Sequence, residues 1–272
     1  MAYFERDGVR FHYREVGQGV PFIFQHGLGG DVNQPFGLFQ PPPGVRLLAF
    51  DCRAHGETRP LGGIAKINLA AFADDLLAFM DHMALAQAVV GGISMGAAVA
   101  LNFILRYPQR VLGLVLSRPA WLDRPSSYNM AIYGQIARLI REHGAAQGLV
   151  LYRQSAEFRR VQEESPDAAN SLIGQFEHPR AEETVVKLER IPADAPVHDL
   201  ALLRAIVVPT LVLASRQDPI HPFEYGEVLA RAIPGAVFHE LTPKSVSREQ
   251  HARDVQTYLG EFLMHLPAVH SG

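Results

Sequence analysis

Short apolar runs alternate with segments of helical spacing along most of this 272-residue chain. Residues 4–5 and 9–16 alternate apolar and polar side chains around Asp7-Gly8, which predicts a β-hairpin. Buried strands of the parallel kind are predicted at residues 20–25, 45–50, 87–93, 111–116, 207–214 and 237–241. Helices are predicted at residues 69–83 and 97–107, and from about residue 251 to residue 265. This alternation predicts an α/β fold, with a doubly wound, mostly parallel central sheet and a short antiparallel start.

The strand pattern stops after Pro119 and returns near residue 200. Between these points the spacing predicts helices at residues 127–142, 145–154, 156–164, 166–176 and 182–190. Because the insertion follows the carboxyl end of a strand, where ligands bind in open α/β sheets, we expect an all-helical cap over the site. The predicted domains are a core of residues 1–118 and 200–272 and a cap of residues 119–199.

Composition and charge narrow the classes of partner. The formal net charge is −3 with acidic and basic residues mixed, so no basic stripe indicates nucleic acid or an anionic membrane. The single cysteine, Cys52, excludes a disulfide within the chain and fits a reducing compartment. The N-terminal stretch is charged where a signal peptide has an apolar region, so no signal peptide is predicted. No apolar run approaches the roughly 20 residues that span a bilayer. We therefore expect a cytoplasmic protein that binds neither nucleic acid nor membrane. The oligomeric state is left undecided between a monomer and a homodimer.

The sequence Gly92-Ile93-Ser94-Met95-Gly96 lies between a predicted buried strand and a predicted helix. A sharp turn at this point would hold Ser94 in a strained backbone conformation, and the two glycines would let strand and helix approach closely. The Ser94 hydroxyl would then project above the sheet, beside the first amides of the helix. A serine in this strand–turn–helix setting resembles the nucleophile elbow of the α/β-hydrolases.

An activated serine needs a base and an acid that orients the base. In the fold that the elbow implies, the acid and then the histidine follow the serine along the chain. Asp218 lies on the loop after the strand at residues 207–214, and His251 begins the last predicted helix. We expect His251 to take the Ser94 proton and Asp218 to fix the tautomer of His251. His221 is expected to shape the loop after Asp218, and His239 to pack within a strand.

Two backbone amides are needed to hold the oxyanion of an acyl-transfer intermediate. One is expected from Met95, directly after the nucleophile. The other is expected from Leu28, within the loop His26-Gly27-Leu28-Gly29-Gly30 that follows a core strand. The side chain of His26 is interpreted as structural.

Together these segments resemble the capped type of the α/β-hydrolase superfamily, which includes bacterial esterases, enol-lactonases, carbon–carbon bond hydrolases and cofactor-free haloperoxidases. Residues 51–58 resemble the family's Asp-x-Arg-x-His-Gly-x-Ser/Thr loop, with Ala54 where glycine is usual. Relatives that use an aspartate nucleophile, such as haloalkane dehalogenases and epoxide hydrolases, are disfavoured because Ser94 occupies the elbow. Cys52, inside that loop, is interpreted as buried filler.

The resemblance implies a serine hydrolase that cleaves a carboxylic ester or a lactone through an acyl-enzyme. No metal-ligand spacing and no dinucleotide-binding glycine motif occurs, so we expect no metal and no organic cofactor. The pocket for this small-molecule substrate is expected to include Arg118, Trp121 and Tyr128, with Arg118 suited to a substrate carboxylate. Two alternatives stay open: hydrolysis of a carbon–carbon bond in a vinylogous diketone, and a ligand sensor that keeps the three residues without turnover.

Overall fold

One eight-stranded sheet forms the centre of the computed structural model, which describes residues 2–266. Its strands are β1 (Ala2–Arg6), β2 (Val9–Gly17), β3 (Val20–Gln25), β4 (Val45–Phe50), β5 (Ala88–Ile93), β6 (Val111–Ser117), β7 (Thr210–Ser215) and β8 (Val237–Leu241). The strand order is β1-β2-β4-β3-β5-β6-β7-β8. The β1–β2 and β2–β4 pairs are antiparallel, and the remaining pairs are parallel. The predicted α/β fold, with a mostly parallel sheet and an antiparallel start, is confirmed.

Helices flank this sheet and fill the segment between β6 and β7. They are α1 (Asn33–Leu38), α2 (Leu69–His82), α3 (Met95–Arg106), α4 (Ala131–Gln154), α5 (Ala156–Glu164), α6 (Pro166–Glu177), α7 (Ala181–Thr184), α8 (Val186–Arg190), α9 (Phe223–Ala232) and α10 (Arg248–Met264). Among residues 2–266, no helix combines the length and the apolar character needed to cross a bilayer.

Apolar side chains pack on both faces of the sheet, which explains the uninterrupted apolar sequence of β5. Val90 belongs to the core on the face that α2 and α3 cover, together with Phe103 of α3. Val89 belongs to the opposite core, together with Leu259 of α10. Successive residues of a strand point to opposite faces, so a strand buried on both sides has to be apolar at every position.

The segment between β6 and β7 contains helices α4–α8 and no strand. Its aromatic side chains pack together, and the rings of Tyr152 and Phe176 stack with their centroids 5.4 Å apart. Helix α4 breaks at Gly144, whose φ of 73° and ψ of 166° are not helical, between the two helices that the sequence predicts there. The division into a core domain and a cap at residues 119–199 stays a prediction. Residues 1 and 267–272, which the predicted core includes, lie outside the described residues.

Several elements differ from the sequence prediction, and helix α1 is one that was not predicted. Strand β7 begins at Thr210 and not at residue 207, where the Val207 side chain is exposed. Helix α9 was not predicted from the sequence. Helix α10 begins at Arg248 because the Ser247 hydroxyl caps it, accepting the Gln250 N–H at 3.1 Å. His251 therefore lies within the first turn of α10 rather than at its start.

The close approach of α3 to β3 gives a test of this architecture. A Cβ added at Gly96 would clash with backbone atoms of Gln25 and His26, so Gly96→Ala should lower the free energy of unfolding by about 1–3 kcal/mol. Gly134 is the matched control, because it is exposed on α4 with nothing within 4 Å of its added Cβ. Gly134→Ala should raise the free energy of unfolding by about 0.5–1 kcal/mol. Urea unfolding of both variants checks this, and equal midpoints would contradict the close packing.

Candidate active site

Ser94 lies at the turn between β5 and α3 with a backbone that non-glycine residues rarely adopt. Its φ is 56° and its ψ is −109°. Backbone hydrogen bonds on both sides stabilise this strained conformation. The Ser94 N–H donates to the Ser117 carbonyl at 2.9 Å, and the Ser94 carbonyl accepts a hydrogen bond from the Ala98 N–H at 3.1 Å. Among residues 2–266, the Ser94 Oγ has no hydrogen-bond partner. The hydroxyl is thus free to meet a bound molecule.

A cavity of about 100 Å³ opens at Ser94. Residues from the elbow, the loop after β3, helices α4 and α6 and the loops after β6, β7 and β8 line it. They include Gly27, Leu28, Ser94, Arg118, Tyr133, Asp167, Ser171, Asp218, His221 and Lys244. Of the predicted site residues, the cavity therefore brings together Ser94, Asp218, Leu28 and Arg118.

The loop after β3 is fixed by buried hydrogen bonds on both sides of Leu28. The Gly27 N–H donates to Gln34 Oε1 at 2.7 Å, and the Leu28 carbonyl oxygen lies 2.9 Å from His55 Nε2. His26 is buried with Nδ1 2.8 Å from the Gly27 carbonyl, and it accepts the Cys52 N–H at 3.0 Å, which fits its interpretation as structural.

The two amides expected to bind an oxyanion differ in their surroundings. Within residues 2–266 the Leu28 N–H has no hydrogen-bond partner, and Leu28 lines the Ser94 cavity. Met95 begins α3, so its N–H has no acceptor within the helix. Their role as an oxyanion hole stays a prediction.

Asp218 is the centre of a buried charge cluster. Its Oδ2 accepts hydrogen bonds from Arg118 Nη2 at 2.5 Å and Arg118 Nε at 3.1 Å. His221 Nδ1 lies 2.9 Å from Oδ2 and 3.0 Å from Oδ1. Burial alone would raise the pKa of Asp218, but Arg118 and His221 outweigh it and hold this pKa well below its usual range. The carboxylate is therefore ionised.

His251 is placed differently from the sequence prediction. Its Nδ1 lies 2.8 Å from the Thr242 carbonyl oxygen, and it is not among the residues that line the Ser94 cavity. Among residues 2–266 no hydrogen bond joins His251 to Asp218, and the Thr242 carbonyl is the partner of the His251 Nδ1 instead. Burial lowers the pKa of His251 to about 4. Its catalytic role stays a prediction.

Two of the three predicted pocket residues lie outside the Ser94 cavity. Trp121 is 1% exposed and packs in the core beside a separate void of about 10 Å³. Tyr128 is 71% exposed, and its hydroxyl lies 3.4 Å from Glu224 Oε1 on the surface. Neither ring lines the Ser94 cavity in this structure, and their part in a substrate pocket stays a prediction. Arg118 does line the cavity, but Asp218 already pairs with its guanidinium.

Lys244 and Asp167 are cavity residues that the sequence did not single out as a pair. Lys244 Nζ lies 3.6 Å from Asp167 Oδ2, and Arg248 Nε donates to Asp167 Oδ1 at 2.9 Å. Burial, with a contribution from Arg118, lowers the pKa of Lys244 to about 8. These ion pairs join α6 to the loop after β8 and to the first residue of α10. Their spacing of nearly 80 positions along the chain left no sequence signal for the contact.

No group of three or more His, Cys, Asp or Glu side chains able to hold a metal occurs in the described part of the chain. Cys52 is buried, and burial raises the pKa of its thiol well above the usual range. The thiol is therefore protonated, as expected of core filler. The absence of a cofactor stays a prediction.

Comparison with known proteins identifies the family of this chain. The family model described as the alpha/beta hydrolase fold matches residues 20–245. The chain belongs to this family. It is 26% identical to a 2-hydroxymuconate semialdehyde hydrolase of Pseudomonas putida, over 97% of this chain and 94% of that protein. It is 27% identical to 3-oxoadipate enol-lactonase 2 of Acinetobacter baylyi, over 88% of this chain and 87% of the relative.

Other matches are shorter or structural. An acetyltransferase component of the acetoin cleaving system of Pseudomonas putida is 37% identical, but over only 38% of this chain and 28% of that protein. The solved structure of a thermophilic esterase from Thermogutta terrifontis superimposes with a TM-score of 0.70 and 26% identity. It covers 93% of this chain and 94% of the esterase. These likenesses support a hydrolase without fixing its substrate.

The buried pair of Arg118 and Asp218 gives a test of the charge cluster. Arg118→Met leaves a buried carboxylate without its cation, so the free energy of unfolding should fall by about 3 kcal/mol at pH 7. Without Arg118, only His221 still opposes the effect of burial, so the pKa of Asp218 should rise from its wild-type value and the carboxyl should take up a proton at a higher pH. The loss should therefore be largest at neutral pH and smaller at pH 5, as measured by urea unfolding.

Arg248→Met is the control, because Arg248 is 64% exposed in its ion pair with Asp167. It should change the free energy of unfolding by less than about 1 kcal/mol at either pH. An equal loss for Arg118→Met at pH 5 and pH 7 would mean that His221 alone keeps Asp218 ionised, and would contradict the role assigned to Arg118.

Proposed function

We propose that this chain is a serine hydrolase of a small carboxylic ester or lactone, with Ser94 as the nucleophile. The proposal is carried by one observation: the unpartnered Ser94 Oγ opens on a cavity that also holds an ionised carboxylate paired with an imidazole. A serine hydroxyl is a weak nucleophile until a neighbouring base removes its proton. An imidazole held by a carboxylate is suited to that task.

The reaction follows from this arrangement. The Ser94 Oγ attacks the carbonyl carbon of the substrate while an imidazole accepts the hydroxyl proton. The N–H groups of Leu28 and Met95 stabilise the negative charge on the carbonyl oxygen of the tetrahedral intermediate. The imidazolium returns the proton to the leaving alkoxide, and the acyl-enzyme forms. A water molecule, deprotonated by the same imidazole, then releases the acid and regenerates Ser94.

The cavity favours a small substrate without net charge. Its volume of about 100 Å³ is below the roughly 300–1,000 Å³ of pockets for drug-sized ligands. Arg118 and Lys244 are both cationic and both line it, but each already lies beside a carboxylate, Asp218 or Asp167. A neutral ester or lactone leaves both ion pairs intact, and the esterase and the enol-lactonase among the relatives fit this class of reaction.

Carbon–carbon bond hydrolysis is the second candidate. It is favoured by the similarity to the 2-hydroxymuconate semialdehyde hydrolase and by the two cations of the cavity. A substrate with a carboxylate tail would have to compete with Asp218 or Asp167 for these cations. Relative rates on neutral esters, lactones and an anionic vinylogous diketone separate the two candidates.

Ser94→Ala tests the nucleophile. The variant should lose covalent labelling by a fluorophosphonate probe, and turnover of the best ester or lactone should fall by about 10⁴-fold or more. Its circular dichroism spectrum should match that of the wild type. Mass spectrometry of the labelled wild-type protein should place the probe on Ser94.

Ser117→Ala is the matched control, because Ser117 contacts Ser94 only through its backbone and its buried Oγ has no partner among the described residues. It should keep both labelling and turnover. Labelling of Ser94→Ala at another serine would reject the proposal. A wild-type protein that takes the probe but leaves every ester, lactone and diketone intact would instead support the ligand sensor.

A further inference from the structure

Two histidines near the elbow differ in what their imidazoles contact. His221 lines the Ser94 cavity, and its Nδ1 lies 2.9 Å and 3.0 Å from the two carboxylate oxygens of Asp218. His251 does not line that cavity, and its Nδ1 lies 2.8 Å from the carbonyl oxygen of Thr242. Of these two imidazoles, only that of His221 is paired with a carboxylate.

The contact with Asp218 fixes the tautomer of His221. Arg118 Nη2 also lies 3.1 Å from the His221 Nδ1, but it donates to Asp218 Oδ2 at the shorter distance of 2.5 Å. The nearer partner of Nδ1 is therefore the carboxylate, which only accepts hydrogen bonds, so Nδ1 carries the hydrogen and Nε2 keeps a lone pair. The same carboxylate stabilises the positive charge that appears when Nε2 takes up a proton. The Thr242 carbonyl can fix the tautomer of His251 in the same way, but it carries no charge to stabilise an imidazolium.

Asp218 is itself held in place from three directions. Its Oδ1 accepts hydrogen bonds from the backbone N–H groups of Ile220 and His221, each at 3.2 Å. Its Oδ2 accepts a hydrogen bond from the Arg118 guanidinium. His221 follows Asp218 by three residues and lies in the turn that these hydrogen bonds close. Acid and imidazole are therefore parts of one rigid loop, which is what the orientation of a base requires.

We propose that His221, and not His251, is the general base that removes the Ser94 proton. This inference rests on the proposed function, in which Ser94 is the nucleophile. The acid and the base of the relay then both belong to the loop after β7. This differs from the arrangement expected from the sequence, in which the base follows β8.

The proton transfers balance within this loop. His221 Nε2 accepts the proton of Ser94 Oγ as the new O–C bond forms, and it returns that proton to the leaving oxygen as the ester bond breaks. In the acylation and deacylation steps Asp218 stays ionised and keeps its hydrogen bond to Nδ1. Ser94 Oγ has no hydrogen bond within residues 2–266, so the contact with Nε2 has to form when substrate fills the cavity.

Three charged groups act on the His221 ring: Asp218 raises its pKa, while Arg118 and Lys244 lower it. Burial is the largest effect, and the resulting pKa lies below the usual value for histidine. The ring is therefore neutral at pH 7 and able to accept a proton. Burial, together with Arg118 and Lys244, lowers the pKa of His251 to about 4 against the opposing effects of the Thr242 carbonyl and Asp218, and a base this weak takes up a hydroxyl proton poorly.

Parallel glutamine variants of the two histidines test the assignment. His221→Gln should lower kcat on the best ester or lactone by at least about 100-fold, the usual contribution of a general base. His251→Gln should lower it by less than about 10-fold. His239→Gln is the control, because His239 stacks on Tyr258 on β8, at a centroid distance of 4.1 Å, and should leave kcat unchanged. Circular dichroism and urea unfolding confirm that each variant is folded.

A second measurement needs no substitution. A chloromethyl ketone analogue of the best acyl group places an alkylating carbon beside the base once Ser94 has added to the ketone. The base Nε2 then forms a bond to that carbon and chloride leaves. Mass spectrometry of the wild-type protein should find the adduct on His221.

The outcomes separate this inference from the proposed function. An adduct on His251, or a larger loss of kcat in His251→Gln than in His221→Gln, overturns the assignment of the base while Ser94 stays the nucleophile. A wild-type protein whose Ser94 takes no fluorophosphonate and turns over no substrate instead rejects the proposed function. A large loss in His221→Gln with the adduct on His221 supports the inference.

Discussion

The backbones of β3, β5 and α3 meet at Gly92 and Gly96, where a side chain on either glycine would collide with backbone atoms. This contact leaves the chain one way to pass from strand to helix, through the strained conformation of Ser94. The position of the hydroxyl, the direction of the first amides of α3 and the distance to the loop after β3 all depend on it. Larger residues at the two glycines would move each of these features at once.

The second constraint is electrostatic. Arg118, which has a left-handed φ of 48°, and the Asp218–His221 pair come from loops after neighbouring strands, and their buried charges compensate each other. Buried without a cation, the carboxylate would take up a proton, and a guanidinium buried without an anion would destabilise the fold. Their pairing links two strand ends across the sheet and sets the protonation of the adjacent imidazole. A packing constraint thus positions the nucleophile, and a charge constraint positions the groups that serve it.

The sequence predicted the features that short segments determine. The apolar strands and the glycines at the elbow are local patterns, so the sheet and the place of Ser94 could be found without a structure. The partner of Asp218 depends on the paths of the loops after β7 and β8, which place His221 beside this carboxylate and His251 beside the Thr242 carbonyl. The opposite exposures of Trp121 and Tyr128 likewise depend on how the segment between β6 and β7 packs on the sheet. Contacts between distant segments, such as Asp167 with Lys244, have no local pattern to find.

The size of the cavity has a thermodynamic consequence. With a volume of about 100 Å³ beneath α6, this conformation has little room for an acyl chain of any length. A displacement of α6 that enlarged the cavity for a longer molecule would break the ion pairs of Asp167 with Lys244 and Arg248. The apparent dissociation constant then equals the intrinsic one divided by the fraction of molecules in that open conformation. Salt screens such partly exposed ion pairs and so raises the fraction of molecules in the open conformation. The apparent affinity would then depend on ionic strength even for a substrate that carries no charge.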